Sequence, residues 1–461
     1  MPGHFFTTRE IVEAASAELV IGNLCDHFSG VSIDSRTVKK GDIFICIKGE
    51  RFDGHDFIPE AIGKGASCVI YSRYNTVLLG SKIPHNLIAV ANTLSALSDL
   101  AYYHRKRFGI PVVCITGSNG KTTTKEMIYS LLSAKYKVLK NEGTQNNSIG
   151  LSLSLLKLNS QHHMAVLELG TNHFGEIKEL VRIAAPSVGV ITNIGPAHLE
   201  SFGDEKGVLK EKWDLIEELA WPRIAVLNAD DMLLREKITA AHEDTAIFTF
   251  GICQKADFMA KEITLRNKKV SCYVRKSPLT LATVSKINVY NALASYAVAR
   301  IFSVDAYDII KAFRAFQFPY ARFQMKRIQG LQVIDDAYNA NPVSLRYALD
   351  AFTSLPTRGK RILVIGDMLE LGMLSQEVHA KLGNDLSKAN IDVIIGIGAL
   401  SHIACDVAAS SGFNAKAIFK CSSVHEAGGI VSKVAKKNDT VLLKGSRAMK
   451  LEEVLQNTSI E

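Results

Sequence analysis

The chain has 461 residues, 47% of them hydrophobic and 22% charged, which excludes a disordered or fibrous protein and, at about 100–200 residues per domain, predicts roughly two to four domains. Its formal net charge is only +8. The basic residues sit in short clusters such as Lys39-Lys40 and Arg105-Lys106-Arg107, expected as solvated faces rather than a nucleic-acid surface, and a mild excess of this size suits anionic small substrates.

Eight cysteines occur without a CxxC pair, which argues against a zinc site or a disulfide framework. They are expected as reduced thiols of a cytoplasmic protein, most of them small core residues. The opening MPGHFFTTREIVEAA carries charges where a signal peptide needs an apolar core. No run of about 20 apolar residues is present, so no membrane span is expected. A monomer is the working expectation.

In chain order, residues 1–108 mix strand-like runs (DIFICI, ASCVIYS) with a helical one (NTLSALSDLAYYHRKR), a mixed α/β domain. Gly109-Ile110-Pro111 punctuates the chain. Over 109–318 apolar strands alternate with helices: VVCIT, MAVLELG, SVGVITNIG, RIAVLNADD. That rhythm predicts a parallel sheet with helices on both faces, of P-loop type. Pro319 marks a second joint. Over 319–461 the rhythm returns with RILVIG, DVIIGIG and TVLLKG, which predicts a smaller Rossmann-like α/β domain.

VVCIT reads as a buried strand and KTTTKEMIYSLLSA as a helix, with Gly117-Ser118-Asn119-Gly120 between them. The backbone N–H groups of such a turn, with the helix N-terminus, attract phosphate. Only two residues separate the glycines, where the common P-loop has four. Lys121 would bring a point charge to the terminal phosphates, and Thr122 a hydroxyl to Mg²⁺. MAVLELG ends an apolar run with Glu168, a carboxylate suited to a second metal role. The strand SVGVITNIG runs into a loop holding His198. Taken alone, each of these two has an ordinary structural explanation.

The helix GVLKEKWDLIEELA holds an unusual lysine. At about 100° per residue, Leu209, Trp213, Ile216, Leu219 and Ala220 form an apolar face flanked by Val208 and Leu215. Lys212 falls inside that face, while Lys210, Glu211, Asp214, Glu217 and Glu218 fall outside it. An inward lysine must snorkel, pair or lose its charge. A neutral amine can add CO₂ and become a carbamate, an anion able to face a cation.

These residues together resemble the Mur ligase family, ATP-dependent amide-forming enzymes of bacterial cell-wall assembly, and the resemblance covers nearly the whole chain. It implies that the clipped loop TGSNGKTTT holds ATP through Gly117, Ser118, Asn119, Gly120, Lys121, Thr122 and Thr123. It also implies that Glu168 and His198 bind magnesium and that Lys212 is carbamylated. Thr122 and Glu168 would hold one ion, and His198 and modified Lys212 another. The stretches ELGTNHFGEI, DDAYNANPVS, GDMLELG and KGSRAMKLEEV are similar to the branch that joins D-alanyl-D-alanine to UDP-N-acetylmuramoyl-tripeptide. The Asp-Asn-Pro-Arg motif of the diaminopimelate-adding branch is absent. SIDSRTVKKGDIFICIKGERFDGHDF resembles the family's UDP-substrate domain, with Asp34, Ser35, Arg36, Asp53, Gly54 and His55 as candidate contacts.

The resemblance further implies that Asn288 and Asn291 face adenine, that Arg322 contacts phosphate, and that Asp336 meets the ribose. Tyr338, Asn339 and Asn341 would close on the nucleotide, although Asn-Pro is also a plain turn signal. Lys121, Glu168, His198, Lys212 and Arg322 form the implied catalytic set. The sequence departs from the family pattern at three places: Ile287 stands where a histidine is usual, Ala321 where a glycine precedes Arg322, and Ser152 where a proline is common. Two rival readings are another amide ligase of the family, one acting on a folate for instance, and a nucleotide-dependent switch protein. The absence of a guanine-reading Asn-Lys-x-Asp weakens a GTPase version of the second.

Overall fold

The apolar runs are strands of three separate sheets in the computed structural model, which describes residues 5–75, 83–239 and 241–457. The first sheet has five strands in the order Glu18–Ile21, Asn86–Val90, Cys68–Ser72, Asp42–Ile45 and Gly30–Ser32. All its neighbours are parallel except the edge strand Glu18–Ile21. The second has nine strands. Seven are parallel, from Val138–Lys140 at one edge through Met164–Glu168, Val112–Thr116, Val188–Ile191, Ile224–Asn228 and Ala246–Gly251 to Phe258–Arg266. Two antiparallel strands, Lys269–Val274 and Ser277–Leu281, extend it, an extension that the α/β rhythm did not announce. The third has six strands, parallel apart from the edge hairpin partner Gln324–Ile328.

The central strands are uniformly apolar because both faces are covered. Val112 and Cys114 point into one core, and Val113 and Ile115 into another on the opposite face; period-two alternation sends successive side chains to opposite sides. After Val112–Thr116 the chain moves to the Val138–Lys140 edge, then crosses back to Val188–Ile191 on the other side. The carboxyl end of Val112–Thr116 therefore lies at a reversal of strand order, where open α/β sheets bind ligands. The Gly117–Gly120 turn sits there.

The first of these cores does not stop at the joint near residue 109. It runs from Phe6, Ile43 and Ile88 through Leu97 and Leu100 to Leu151, Leu167 and Leu180. The helix Thr93–Lys106 is the bridge, capped at its start by Asn92. The expectation that Arg105-Lys106-Arg107 is a solvated face is corrected here. Arg105 is buried. Its guanidinium donates to the carbonyls of Ala184 (3.1 Å), Phe108 (2.7 Å), Ile110 (3.0 Å) and Ala185 (3.4 Å), groups at or just beyond the C-terminal ends of two helices. Arg107 pairs with Glu10 at 2.6 Å and lies over the rings of Phe6 and Tyr103. Only Lys106 of the three lacks such a role.

All eight cysteines are free thiols; Cys25 and Cys253 are exposed and the others buried. Among the described residues no helix is long and apolar enough to cross a membrane.

Candidate active site

The turn after Val112–Thr116 takes its shape from two left-handed glycines. Gly117 has φ 142° and Gly120 φ 82°. A Cβ on Gly117 would lie 2.0 Å from Thr192 Oγ1, and one on Gly120 would lie 2.2 Å from Asn291 Oδ1, so larger residues would collide. The end of the neighbouring strand holds the turn from outside. Asn119 N–H donates to Asn193 Oδ1 (3.0 Å), Thr192 Oγ1 donates to the Asn119 carbonyl (2.5 Å), and Ser118 Oγ donates to the Gly195 carbonyl (2.9 Å). The helix Lys121–Leu132 starts directly after Gly120 and presents its N-terminus to the space beyond. Lys121 Nζ donates to the Gly117 carbonyl at 2.8 Å. Burial lowers its pKa, Glu168 opposes that, and Arg322 adds to it.

That space is a cavity of about 520 Å³ between the central and third sheets, in the size range of small-ligand sites. Ser118 to Thr123, Glu168, His198, Asn288, Asn291, Arg322, Asp336, Tyr338 and Asn339 all line it. Glu168, last residue of its strand, is buried, and one carboxylate oxygen accepts from Asn146 Nδ2 at 2.8 Å. The other, Oε2, is buried with no hydrogen-bond partner. A buried carboxylate oxygen left open needs a cation or a donor. The Asn141 side chain brackets the Glu168 backbone, accepting from its N–H (2.9 Å) and donating to its carbonyl (3.0 Å).

From the third sheet's side, Arg322 Nη2 donates to Thr122 Oγ1 at 2.8 Å, and its guanidinium stacks 3.9 Å from the Tyr338 ring centroid. Asp336 is held between Lys444 Nζ (2.7 Å) and the Phe323 N–H (3.0 Å). Burial still raises its pKa against the pull of Lys444. Asn341 caps the helix Pro342–Ser354 and donates from Nδ2 to Asn119 Oδ1 at 2.8 Å, so it serves as both turn cap and bridge.

Lys212 is 1% exposed. Burial holds its pKa well below the ordinary lysine range, and the nearby Lys121 charge lowers it further against Glu211. The inward amine is therefore present and coupled to the cradle, although Lys212 is not among the residues lining the cavity. Glu211 requires a correction: expected outside the apolar face, it is buried. It accepts from Thr171 Oγ1 (3.0 Å) and from the N–H groups of Gly175 (2.7 Å) and Ile177 (2.8 Å). Those donors sit at the start of the helix Glu176–Ala184, where a carboxylate satisfies free N–H groups.

Three family models match the chain: the Mur ligase family catalytic domain over residues 27–106, the Mur ligase middle domain over 115–299 and the Mur ligase glutamate ligase domain over 321–447. A UDP-N-acetylmuramoyl-tripeptide–D-alanyl-D-alanine ligase of Bacillus subtilis is 33% identical over 455 residues, covering 96% of each chain. The chain belongs to the Mur ligase family. The ligase of the same name from Escherichia coli is 33% identical over 92% of each chain. Among solved structures, MurF from Acinetobacter baumannii superposes with a TM-score of 0.89 at 30% identity, covering 98% of each chain. A MurF ligase from Thermotoga maritima, in complex with ADP, gives 0.81 at 30% identity, covering 93% of this chain and 96% of that one.

Two of the departures from the Mur ligase pattern have a structural reading. Ala321 is fully buried with φ 52°, the left-handed region that the usual glycine enters freely. Ile287 opens the helix Ile287–Ile301 and lines both the main cavity and a smaller one of about 160 Å³ with Tyr290 and Tyr347. Asn288 and Asn291 are buried and joined at 3.0 Å.

The candidate UDP contacts lie apart from the cavity. Arg36 pairs with Asp34 at 2.7 Å on the surface, and Ser35 Oγ donates to Glu60 (2.8 Å). His55 uses both ring nitrogens, Nδ1 toward Asp53 (2.5 Å) and Nε2 accepting from the Ser72 N–H (3.0 Å). A Cβ on Gly54 would lie 2.7 Å from the Ile47 nitrogen. Asp53, Gly54 and His55 thus shape the local backbone.

Among the described residues no three His, Cys, Asp or Glu side chains gather as a metal site. A Mg²⁺ held by one carboxylate, a hydroxyl and nucleotide oxygens needs no such cluster, and the open Glu168 oxygen, with Thr122 and His198 lining the same cavity, fits that mode. Asn146, Glu211, Glu370 and Lys444 were not singled out in the sequence as site residues. Their motifs were visible; their partners, tens to hundreds of residues away, were not.

Proposed function

We infer that this chain is an ATP-dependent ligase that joins D-alanyl-D-alanine to UDP-N-acetylmuramoyl-tripeptide, giving ADP, phosphate and the UDP-linked pentapeptide of peptidoglycan synthesis. One observation carries the reading. The clipped glycine turn with Lys121, the open Glu168 oxygen and Arg322 of the third sheet's domain face a single cavity, in a chain alike over nearly its whole length to ligases of that name. We place the protein in the cytoplasm as a monomer, with domains over 1–108, 109–318 and 319–461.

The tripeptide carboxylate is a poor electrophile because its charge repels attack. One of its oxygens attacks the γ-phosphorus of ATP, the bond to ADP breaks, and an acyl phosphate forms. Lys121, released from the Gly117 carbonyl, and Arg322, released from Thr122, offset the charge on the transferring group. Thr122, Glu168 and His198 would hold Mg²⁺, which would neutralise phosphate charge. Lys212, whose burial favours the neutral amine, would add CO₂ with loss of a proton, and the carbamate would supply an anion near the cradle. The neutral amine of D-alanyl-D-alanine attacks the acyl carbon, the carbon–oxygen bond to phosphate breaks, and the amine's surplus proton leaves. Asp34, Ser35, Arg36, Asp53, Gly54 and His55 belong to the part that binds the UDP end. The exposed Arg36 is the group there best placed to meet a diphosphate.

Mass spectrometry of the products from UDP-tripeptide, ATP and D-alanyl-D-alanine tests this. A pentapeptide product with stoichiometric ADP is expected. Nucleotide hydrolysis independent of the amine, with no peptide product, would make the chain a switch instead. Product with a different amine or acceptor would move it to another branch of the family.

A further inference from the structure

His198 lies in the cavity wall, on the loop after Val188–Ile191, with φ 53°. Glu370 lies on the loop after Arg361–Gly366 in the third sheet's domain, with φ 67°. Neither residue is glycine, yet both occupy the left-handed region, a conformation that surrounding structure must hold in place. They face each other across the domain boundary, with His198 Nδ1 2.7 Å from Glu370 Oε2. The backbone repeats the connection, Glu200 N–H donating to the Glu370 carbonyl at 3.4 Å. A Cβ on Gly372, two residues on, would lie 3.3 Å from Glu200 Cα, so the loops touch along several residues. The ring of Phe202 meets the imidazole edge-on at 6.3 Å.

A histidine presents a lone pair at one nitrogen only when the other carries the proton, and the partner of that other nitrogen decides which is which. With Nδ1–H directed at a carboxylate, Nε2 is the nitrogen free to act as a donor atom. A carboxylate behind a ligating histidine also fixes its orientation. This one comes from a different domain, so it is in place only while the two domains are together.

We propose that Glu370 is a positioning residue that sets the tautomer and aim of His198, making the cation-binding form of the central domain conditional on the third domain being docked. The inference rests on the ligase reading for its purpose but not for its test. Glu370 is 56% exposed at its side chain, so truncation should leave the fold intact.

The test uses the full-length chain with ¹³C,¹⁵N-labelled histidine, His198 being assigned by loss of its signal in H198Q. Wild type should show Nδ1–H, Nε2 unprotonated. E370A should shift His198 toward the Nε2–H form, while E370Q, whose amide oxygen still accepts, should keep the wild-type form. Titration with Mn²⁺ in the presence of ADP should show roughly 10–100-fold weaker binding in E370A and near-complete recovery in E370Q. An E370A chain that keeps the Nδ1–H form, or that binds Mn²⁺ within about twofold of wild type, overturns the proposal. Neither readout needs the UDP-peptide, so a wild type that makes no pentapeptide would defeat the ligase reading and leave this result standing by itself.

Discussion

In the proposed mechanism Lys212 would carry the modified-lysine step. Nothing about an isolated lysine favours a neutral amine; its burial and the nearby Lys121 charge do so together. Lys212→Ala should lower ligation roughly 10²–10³-fold, the range for losing one preorganised electrostatic group. Short-chain carboxylic acids should restore part of it by standing in for the carbamate, and full activity without rescue would refute the modified-lysine mechanism. Gly120→Ala meets Asn291 Oδ1 at 2.2 Å from a φ of 82°. It should weaken ADP binding at least about tenfold by calorimetry, since roughly 1–2 kcal/mol of backbone strain and a displaced Asn291 both fall on the cradle. Ala321 argues in the opposite direction. Held at φ 52°, it stores strain that glycine would relieve, so Ala321→Gly should raise the thermal midpoint, by up to about 1 kcal/mol of stability after the extra chain entropy of glycine.

At the scale of elements, the helix Thr93–Lys106 ties the first sheet to the central one. Arg105→Met would strip four carbonyls of their donor. It should cost about 3 kcal/mol in denaturant unfolding, whereas Lys106→Met, on the exposed side, should stay within about 0.5 kcal/mol of wild type. His104 on the same helix gives the junction a pH dependence. Its Nε2 meets the Leu158 carbonyl at 2.9 Å and its Nδ1 is buried without a partner. Burial accordingly depresses its pKa from the ordinary 6.5, because a proton on Nδ1 would find no acceptor. As pH falls below that ordinary value the unfolded chain takes up a proton the folded chain refuses, so this contribution to stability declines toward acid until the folded pKa is passed. Urea unfolding followed from pH 7.5 to pH 5 should show that decline. His104→Gln, which keeps a donor to Leu158 and cannot titrate, should flatten it.

For the whole molecule, three side-chain bridges among the described residues join the central and third domains around the cavity: Thr122 with Arg322, Asn119 with Asn341, and His198 with Glu370. All are polar and short, the kind of contact that a domain motion can break and remake. In the proposed site ADP with Mg²⁺ would contact both sides of the cavity, so solution scattering should show a smaller radius of gyration with nucleotide than without; no compaction would argue that docking is independent of the ligand. Closure would also keep water from the acyl phosphate.

The sheet strands were legible because a covered parallel strand must be apolar along its whole length, and the glycine turn because the strand, its glycines and the helix start follow one another directly in the chain. Lys212 was legible for the same reason, its helix face being set by a fixed angle per residue. Glu211, on that same helix, was misplaced because a carboxylate's burial depends on what donates to it. Its donors belong to a loop 34 to 40 residues earlier in the chain. Arg105 was misread likewise, since the carbonyls it caps come from the ends of two separate helices. Sequence alone determined the three α/β units, the cradle and the chemistry of its side chains. Only tertiary structure decided that Glu168 keeps one oxygen open, that Asp336 is held by Lys444, and that Glu370 backs His198, because each of these is a distance between groups remote in sequence, and no local pattern encodes such a distance.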